Sequence, residues 1–314
     1  MAEIVEAGKS FFVMNTQVNA LVCVLPGRIN DAYRALGELE SLFRVSESAL
    51  TRFDPASELS RLNASAGKQF AVSELLFEAV AAAVEASRQT GGLIDPTVLP
   101  QLQAAGYDRS FNRIGLFSQP ASNLGGRRFN WTDIRLDSAS RSVFLPRGCG
   151  LDLGGVGKGW TVDLARCVLK EFDSYVVDAG GDIIVEGTQG NGRPWTVGVA
   201  DPFDDEHDVA QLGMTGGAVC TSSTLKRRWG NEHNSAHHII DPRTGAPSNS
   251  GIASATVTAP SALQAEIVAK AAIILGPEKG LEFAATQAGL EAVLVTNERT
   301  VLSTHGLKER QYVA

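Results

Sequence analysis

Hydrophobic residues recur along this chain with two periods, and each period marks a different kind of secondary structure. Apolar positions three or four residues apart predict helices at residues 30–50, 73–90, 160–170 and 261–275. Runs of β-forming residues predict strands at residues 11–25 (one long strand or a pair), 175–177, 183–186, 195–199, 254–258, and a closing hairpin of 293–295 with 300–303. Because short strands joined by turns are interrupted irregularly by helices, the pattern indicates an α+β fold rather than a strict βαβ alternation.

Neither an internal repeat nor a clear linker divides the chain. We therefore expect residues 1–314 to form a single domain. Residues 106–147 are predicted to be strand-rich and polar, and the acidic stretch 201–208 is predicted to be a solvent-exposed loop without chemistry.

The most informative segment is residues 151–159, with the sequence LDLGGVGKG, where four glycines and one cation precede the helix predicted from residue 160. Glycine lets the backbone approach a ligand closely, and the amides at a helix start attract phosphate. Lys158 adds a point charge for the same anion. A tight strand-to-helix turn is the structural alternative. The spacing matches neither the dinucleotide-binding GxGxxG pattern nor the P-loop.

Three further segments carry polar or flexible residues in short, dense patterns. Residues 178–183 (DAGGDI) follow an apolar strand, and residues 237–245 (HHIIDPRTG) place two imidazoles and a carboxylate beside a Pro/Gly turn. Residues 52–63 (RFDPASELSRLN) form a polar loop that enters a helix. Together and in this order, the four segments resemble those of the FAD:protein FMN transferase family, the ApbE-type flavin transferases. The resemblance extends over residues 12–276.

The resemblance implies an ApbE-like fold of mixed, largely antiparallel sheets with inserted helices, and a ligand groove between two intertwined lobes. It also implies a reaction in which a Thr or Ser hydroxyl of an acceptor protein attacks the FMN-side phosphorus of FAD. AMP leaves, and FMN stays attached through a phosphoester. Two alternatives are open at this point: a FAD pyrophosphatase that releases FMN and AMP, and a non-catalytic flavin-binding protein. The sequence does not identify the acceptor protein.

By its motifs, the resemblance places FAD against a set of residues in both halves of the chain. They are Met14, Phe53, Leu93, Ile94, Asp95, Asp152, Lys158, His238 and Ile239. Several have a structural alternative: an isolated Phe53 is more often a core residue than one that stacks on a flat ring. Asp95 before Pro96 is typical of a turn. Asp178 and Asp182 are expected to stabilise the glycine turn between them.

His238 matches the histidine of the family's motif, and it is the predicted general base. A neutral imidazole accepts a proton from a hydroxyl near physiological pH. His237 is the weaker candidate. Asp241 is the second predicted catalytic residue, either orienting the His238 ring or capping the turn that presents it. The cations of residues 226–228 (KRR) either face solvent or steer an anionic ligand.

The resemblance also implies a Mg²⁺ ion on the pyrophosphate, with ligands at the Gly155 backbone carbonyl and at Glu266 and Ala269 on a helix. Where the family has a Thr ligand, this chain has Lys270, whose ammonium has three donors and no acceptor. Taken without the resemblance, Glu266 and Lys270 are an ordinary surface pair four residues apart. Within the resemblance, the ammonium either replaces part of the metal's charge or pairs with Glu266 while Mg²⁺ keeps a reduced ligand set.

The amino-acid composition limits the possible partners and cellular location of this protein more than it limits its reaction. With 44% hydrophobic and 20% charged residues, the chain can bury a sizeable core. A net charge of −7 and a pI near 5.3 argue against nucleic-acid and anionic-membrane partners, and no apolar stretch is long enough to span a bilayer. The cysteines are widely spaced and expected as free thiols: Cys23, Cys149, Cys167 and Cys220. With no secretory signal pattern at residues 1–7, these thiols favour a cytoplasmic location.

Overall fold

The structure of the protein is a computed structural model that describes residues 3–114, 129–231 and 234–308. The helices are α1 (Ile29–Leu50), α2 (Glu58–Ala64), α3 (Glu74–Gln89), α4 (Leu99–Ala104), α5 (Gly157–Leu169), α6 (Ala262–Leu275), α7 (Pro277–Thr286) and α8 (His305–Lys308). The strands are β1 (Val5–Val13), β2 (Thr16–Val24), β3 (Gln69–Ala71), β4 (Arg135–Asp137), β5 (Ser142–Phe144), β6 (Tyr175–Ala179), β7 (Asp182–Glu186), β8 (Trp195–Asp201), β9 (Asp204–Met214), β10 (Gly216–Ser223), β11 (Arg228–Asn231), β12 (Asn234–His237), β13 (Ile240–Asp241), β14 (Ala246–Pro247), β15 (Ile252–Ala259), β16 (Glu291–Thr296) and β17 (Val301–Ser303).

A sheet of eight strands, in the order β1-β2-β6-β7-β10-β15-β16-β17, lies at the centre of the described part of the chain. Each neighbouring pair in this sheet is antiparallel. The inner strand β15 is buried at all 8 of its positions. A strand buried on both sides of the pleat requires packing against both faces of the sheet.

Helices cover one face of this sheet and a β-hairpin covers the other. α6 packs on β10 and β15, α1 packs on β1, and α5 contacts both helices. The main apolar core lies between these helices and the sheet, with Phe43, Leu36 and Ile273 fully buried in it. On the opposite face, Trp195 and Val197 of β8 join a smaller apolar cluster, and β9 pairs with β8.

The predicted fold class is confirmed: the chain is α+β with largely antiparallel sheets and inserted helices. The predicted helices and short strands are present, and residues 11–25 form a strand pair that begins earlier, at Val5. Helix starts follow local capping rules. Ser73 Oγ accepts a hydrogen bond from Leu76 N–H at 3.2 Å, and Ser261 Oγ accepts one from Gln264 N–H at 3.2 Å.

One predicted helix boundary and two other predictions need correction. The helix expected from residue 160 begins at Gly157, so Lys158 lies in its first turn rather than in the preceding loop. Residues 204–208 belong to β9 rather than to a loop, because backbone pairing with β8 does not need apolar side chains on both strands. Residues 106–147 are not strand-rich: their described part contains the short strands β4 and β5 and two 3-10 turns, and residues 115–128 lie outside the described residues.

One cluster of buried apolar side chains runs from Ala7 to Leu294. On this basis we propose that residues 1–314 form one domain. The described helices include none that is long and apolar enough to cross a bilayer. All four cysteines are free thiols, with Cys167 exposed and the others buried. The cytoplasmic location stays a prediction.

Candidate active site

A cavity lies where the C-terminal end of α1, the glycine loop before α5, the segment after β12 and the helix α6 meet. The predicted site residues that line it are Met14, Phe53, Leu93, Ile94, Asp95, Asp152, Gly155, Lys158, His238, Ile239 and Lys270. Asp241, Glu266 and Ala269, which were also predicted, do not line it. The fold therefore brings motifs from both halves of the chain to one cavity.

The glycine loop before α5 is held mainly by its own hydrogen bonds. Gly154 N–H donates to the Asp152 carboxylate at 2.8 Å, and the amides of Val156 and Gly157 donate to a carbonyl of the same loop. The expectation that the amides of this loop attract a phosphate therefore needs correction, since several of them are already used. The main contribution of this segment to an anion site is the positive charge of Lys158, in the first turn of α5.

Lys158 and Asp182 form an ion pair at the wall of the cavity. The Lys158 ammonium lies 2.7 Å from the Asp182 carboxylate and donates to the Ala179 carbonyl at 3.1 Å. Burial lowers the pKa of Lys158, but the carboxylates of Asp182 and Glu266 outweigh this effect and the net shift is upward. Lys158 therefore remains a cation at physiological pH.

The two aspartates around the glycine turn have different partners. Asp178 Oδ1 accepts a hydrogen bond from Gly181 N–H at 2.8 Å, so this residue stabilises the turn as predicted. Asp182 does not: its carboxylate is 2% exposed and pairs with Lys158. The sequence could not indicate this pairing, because the two residues lie on different elements.

Glu266 and Lys270 on α6 form a second ion pair, and it is buried. Glu266 is 1% exposed and Lys270 is 8% exposed. The Lys270 ammonium donates to Glu266 Oε1 at 2.7 Å, and Gly159 N–H donates to Glu266 Oε2 at 2.9 Å. Burial raises the pKa of Glu266, and the ammonium of Lys270 opposes that rise. The surface-pair alternative is therefore wrong.

The sequence does carry a signal for the burial of this pair, in the composition of α6 rather than in the spacing of the two residues. α6 is apolar around its whole circumference, and 11 of its 14 residues are buried. A helix that is hydrophobic on all sides is a core helix, so charged residues within it are expected to be buried and paired.

The donor set does not fit the Mg²⁺ ion that the resemblance implies. Mg²⁺ requires oxygen ligands in near-octahedral geometry. Both oxygens of Glu266 already accept hydrogen bonds, Lys270 offers no acceptor, and the Ala269 side chain lies in the apolar core. The described residues contain no group of three or more His, Cys, Asp and Glu side chains able to hold a metal. The predicted set of Gly155, Glu266 and Ala269 therefore lacks an available carboxylate.

The two neighbouring histidines differ in their hydrogen bonding. His237 uses both ring nitrogens: Nε2 lies 2.8 Å from the Ser248 carbonyl, and Nδ1 accepts from Ile239 N–H at 3.2 Å. His238 lines the cavity, and among the described residues its buried Nδ1 has no hydrogen-bond partner. His237 thus has a structural role, while Nδ1 of His238 is buried and unpartnered among the described residues.

Electrostatics keep His238 neutral. Burial is the largest cause that holds its pKa well below the ordinary histidine value, and the nearby cations Arg227 and Lys270 add to it. A neutral imidazole with an unpartnered nitrogen can accept a proton. This is the protonation state that a general base needs.

Asp241 lies apart from this ring. Its carboxylate binds the Arg243 guanidinium at 2.8 Å and accepts from the Arg243 backbone N–H at 2.9 Å. Arg243 outweighs the effect of burial and lowers the pKa of Asp241. These contacts match the turn-capping alternative and do not orient the His238 ring.

A stacked group of three side chains, two of them in the segment between α1 and α2, lines the cavity. The Arg52 guanidinium lies 4.2 Å from the Phe53 ring centroid and 4.8 Å from that of Tyr107, and it pairs with Asp152. Phe53 is 38% exposed, so it is not a core residue and its ring is available for stacking. Arg227 lies beside the Tyr107 hydroxyl. No local pattern in the sequence points to Tyr107, which is far from Arg52 along the chain.

Two predicted FAD contacts belong to tight turns. Met14 and Asn15 connect β1 to β2 with φ of 52° and 56°, the left-handed conformation of a two-residue hairpin turn that Asn tolerates well. The Met14 N–H donates to Glu47 Oε1 at 2.7 Å. Asp95 accepts hydrogen bonds from the backbone N–H groups of Thr97 at 2.9 Å and Trp131 at 3.1 Å. Both residues therefore shape the backbone that borders the cavity.

Comparison with known proteins finds relatives of this chain. A statistical model of the ApbE family matches residues 14–294. The FAD:protein FMN transferase of Escherichia coli strain K12 is 29% identical over 258 residues, which cover 80% of this chain and 71% of that protein. The FAD:protein FMN transferase of Vibrio cholerae strain O395 is 27% identical over 275 residues, which cover 86% of this chain and 82% of that protein.

Solved structures share the fold. The crystal structure of the ApbE protein of Thermotoga maritima superposes with a TM-score of 0.87 at 23% identity, covering 98% of this chain and 100% of that one. The flavin transferase ApbE of Vibrio cholerae superposes with a TM-score of 0.79 at 23% identity, covering 98% of this chain and 99% of that one. From the family match over most of its length and from this shared fold, the chain belongs to the ApbE family.

Proposed function

We propose that this chain is a FAD:protein FMN transferase. In the proposed reaction, a Thr or Ser hydroxyl oxygen of an acceptor protein forms a bond to the FMN-side phosphorus of FAD. The bond from that phosphorus to the bridging oxygen breaks, and AMP leaves. The observation that carries the proposal is the cavity itself, which is lined by Lys158, Lys270 and the neutral imidazole of His238.

The proposed roles follow from the contacts of the residues. Transfer of a phosphate group needs positioning and charge neutralisation more than covalent chemistry from the enzyme. Lys158 and Lys270 supply positive charge to the pyrophosphate, and Phe53 offers an exposed ring for the flavin. His238 accepts the proton of the attacking hydroxyl at its unpartnered Nδ1. Leu93, Ile94 and Ile239 belong to the apolar part of the wall, which limits the access of water to the phosphorus.

The experiment that tests this proposal separates transfer, hydrolysis and binding. The protein is incubated with FAD and an acceptor protein carrying a D-x-x-[ST]-G-A segment, and the products are resolved by gel fluorescence and chromatography. We expect flavin covalently attached to the acceptor together with free AMP. Free FMN and AMP without labelled acceptor would indicate a FAD pyrophosphatase, and bound but intact FAD would indicate a flavin-binding protein.

A matched pair of histidine variants tests the base. His238→Ala should lower the transfer rate by about 10²–10⁴-fold while FAD still binds, since that is the usual contribution of a general base. His207→Ala is the control, because His207 is exposed and pairs with Asp204 on the β8–β9 hairpin. Equal rates for His238→Ala and the parent chain would exclude His238 as the base.

A further inference from the structure

We propose that this protein binds the pyrophosphate of FAD, and transfers FMN, without a divalent metal ion. The Lys270 ammonium takes the position and the charge of that cation. The inference rests on the proposed function and specifies how its anion site works. It starts from the disagreement between the metal that the family resemblance implies and the donors that this chain presents.

The first support is the occupancy of Glu266. One carboxylate oxygen accepts from the Lys270 ammonium at 2.7 Å and the other accepts from Gly159 N–H at 2.9 Å. Glu266 is 1% exposed. A metal ion would have to displace the ammonium from a site that water barely reaches, and the ammonium would repel it.

The second support is the direction of the charges. Lys270 and Lys158 line the cavity, whereas their partner carboxylates, Glu266 and Asp182, do not. The carboxylates therefore lie behind the ammonium groups. This arrangement presents positive charge to a ligand in the cavity and keeps the buried cluster electrically balanced when the cavity is empty.

The third support is the number of donors that remain. An ammonium group has three N–H donors. Within the described residues, Lys270 donates one to Glu266, while Lys158 donates one to the Ala179 carbonyl and holds its ammonium 2.7 Å from the Asp182 carboxylate as an ion pair. Two donors of Lys270 and one of Lys158 are left for phosphate oxygens. A short hydrogen bond from a charged donor to a charged acceptor is the strong kind.

The competing interpretation is that the Glu266–Lys270 pair only supports the packing of α6. In that case Mg²⁺ still binds FAD through the phosphate oxygens and a reduced set of protein ligands such as the Gly155 carbonyl. The two interpretations differ in a measurable way, because only the first makes FAD affinity independent of Mg²⁺ and dependent on Lys270.

The test measures FAD binding by calorimetric titration of the parent chain, Lys270→Thr and the control Lys170→Thr, each in EDTA and in Mg²⁺. Lys170 follows α5 and is exposed. We expect the parent and the control to bind FAD equally in both buffers. We expect Lys270→Thr to lose at least about tenfold in affinity in EDTA, since one charge-assisted contact is removed, and to regain it in Mg²⁺ because Glu266 is released. Titration of Mg²⁺ alone should show binding only to Lys270→Thr.

The outcomes separate this inference from the proposed function. FAD binding to the parent that disappears in EDTA and returns with Mg²⁺ overturns the metal-free site and leaves the transferase proposal standing. A folded Lys270→Thr protein that binds FAD in EDTA as tightly as the parent chain also overturns the metal-free site. Should that variant not fold, the parent chain in the two buffers still decides the question. If the parent chain binds FAD in neither buffer, the proposed function is overturned, and this inference with it.

Discussion

Replacing Glu266 by Leu should destabilise this protein far more than most single substitutions. The change leaves the Lys270 ammonium, 8% exposed, without its counter-charge, and it removes the acceptor of Gly159 N–H. Breaking a buried ion pair at one partner costs about 3–5 kcal/mol. Leaving the buried Gly159 N–H without an acceptor costs about 1–3 kcal/mol. Because neighbouring effects do not add simply, we expect a total loss of about 3–5 kcal/mol in the free energy of unfolding.

The double variant Glu266→Leu/Lys270→Met identifies the cause of that loss. With both charges removed, only the amide of Gly159 remains without a partner. The double variant should therefore be more stable than the single one and lie within about 1–3 kcal/mol of the parent chain. The measurement is urea-induced unfolding followed by circular dichroism, with the slope of the transition compared among the proteins.

An exposed pair on α3 provides the control. Arg88 and Glu85 form an ion pair at 2.6 Å, but their side chains are 65% and 47% exposed. Glu85→Leu should therefore change stability only slightly, since water screens such pairs. A Glu266→Leu protein as stable as Glu85→Leu would refute the reasoning, and so would a double variant no more stable than Glu266→Leu. Either result would mean that the Lys270 ammonium reaches water.

Two further predictions address the base and a turn. Because burial and nearby cations lower the pKa of His238, and its deprotonated form is the active one, the transfer rate should not fall between about pH 8 and about pH 6.5. The transfer rate of the parent chain could instead fall to half near the ordinary histidine pKa, with no such fall in His238→Ala. That result would show that the cavity does not lower the pKa of the His238 ring. Gly180→Ala should lower the free energy of unfolding by about 1–3 kcal/mol more than Gly91→Ala does, and should therefore unfold at a lower urea concentration. Both glycines have positive φ, but a Cβ at Gly180 would clash with Thr16 Oγ1, while none of the described atoms is within 4 Å at Gly91. Equal transition midpoints for the two variants would contradict the clash.

Local features of the fold could be predicted from the sequence because local interactions produce them. The spacing of apolar residues defined α1, α3 and α6 to within a few residues, and the serines before α3 and α6 cap them as the capping rules predict. The four motif segments likewise contain many of the residues that line the cavity. Such patterns act over a few neighbouring residues, so no knowledge of the packing was needed to recognise them.

The tertiary structure alone decided how the charged residues act. The spacing of Glu266 and Lys270 predicts a pair, but the packing of α6 against the sheet and α5 removes that pair from water. The partner of Lys158 is Asp182, which lies on a different element, and the stacking of Arg52 on Tyr107 joins distant parts of the chain. The strength of a charge pair depends on how much water surrounds it, and that is set by the packing of distant segments. For this reason the sequence indicated several of the residues that line the cavity, and the fold determined that Lys270 is held within the core beside its carboxylate.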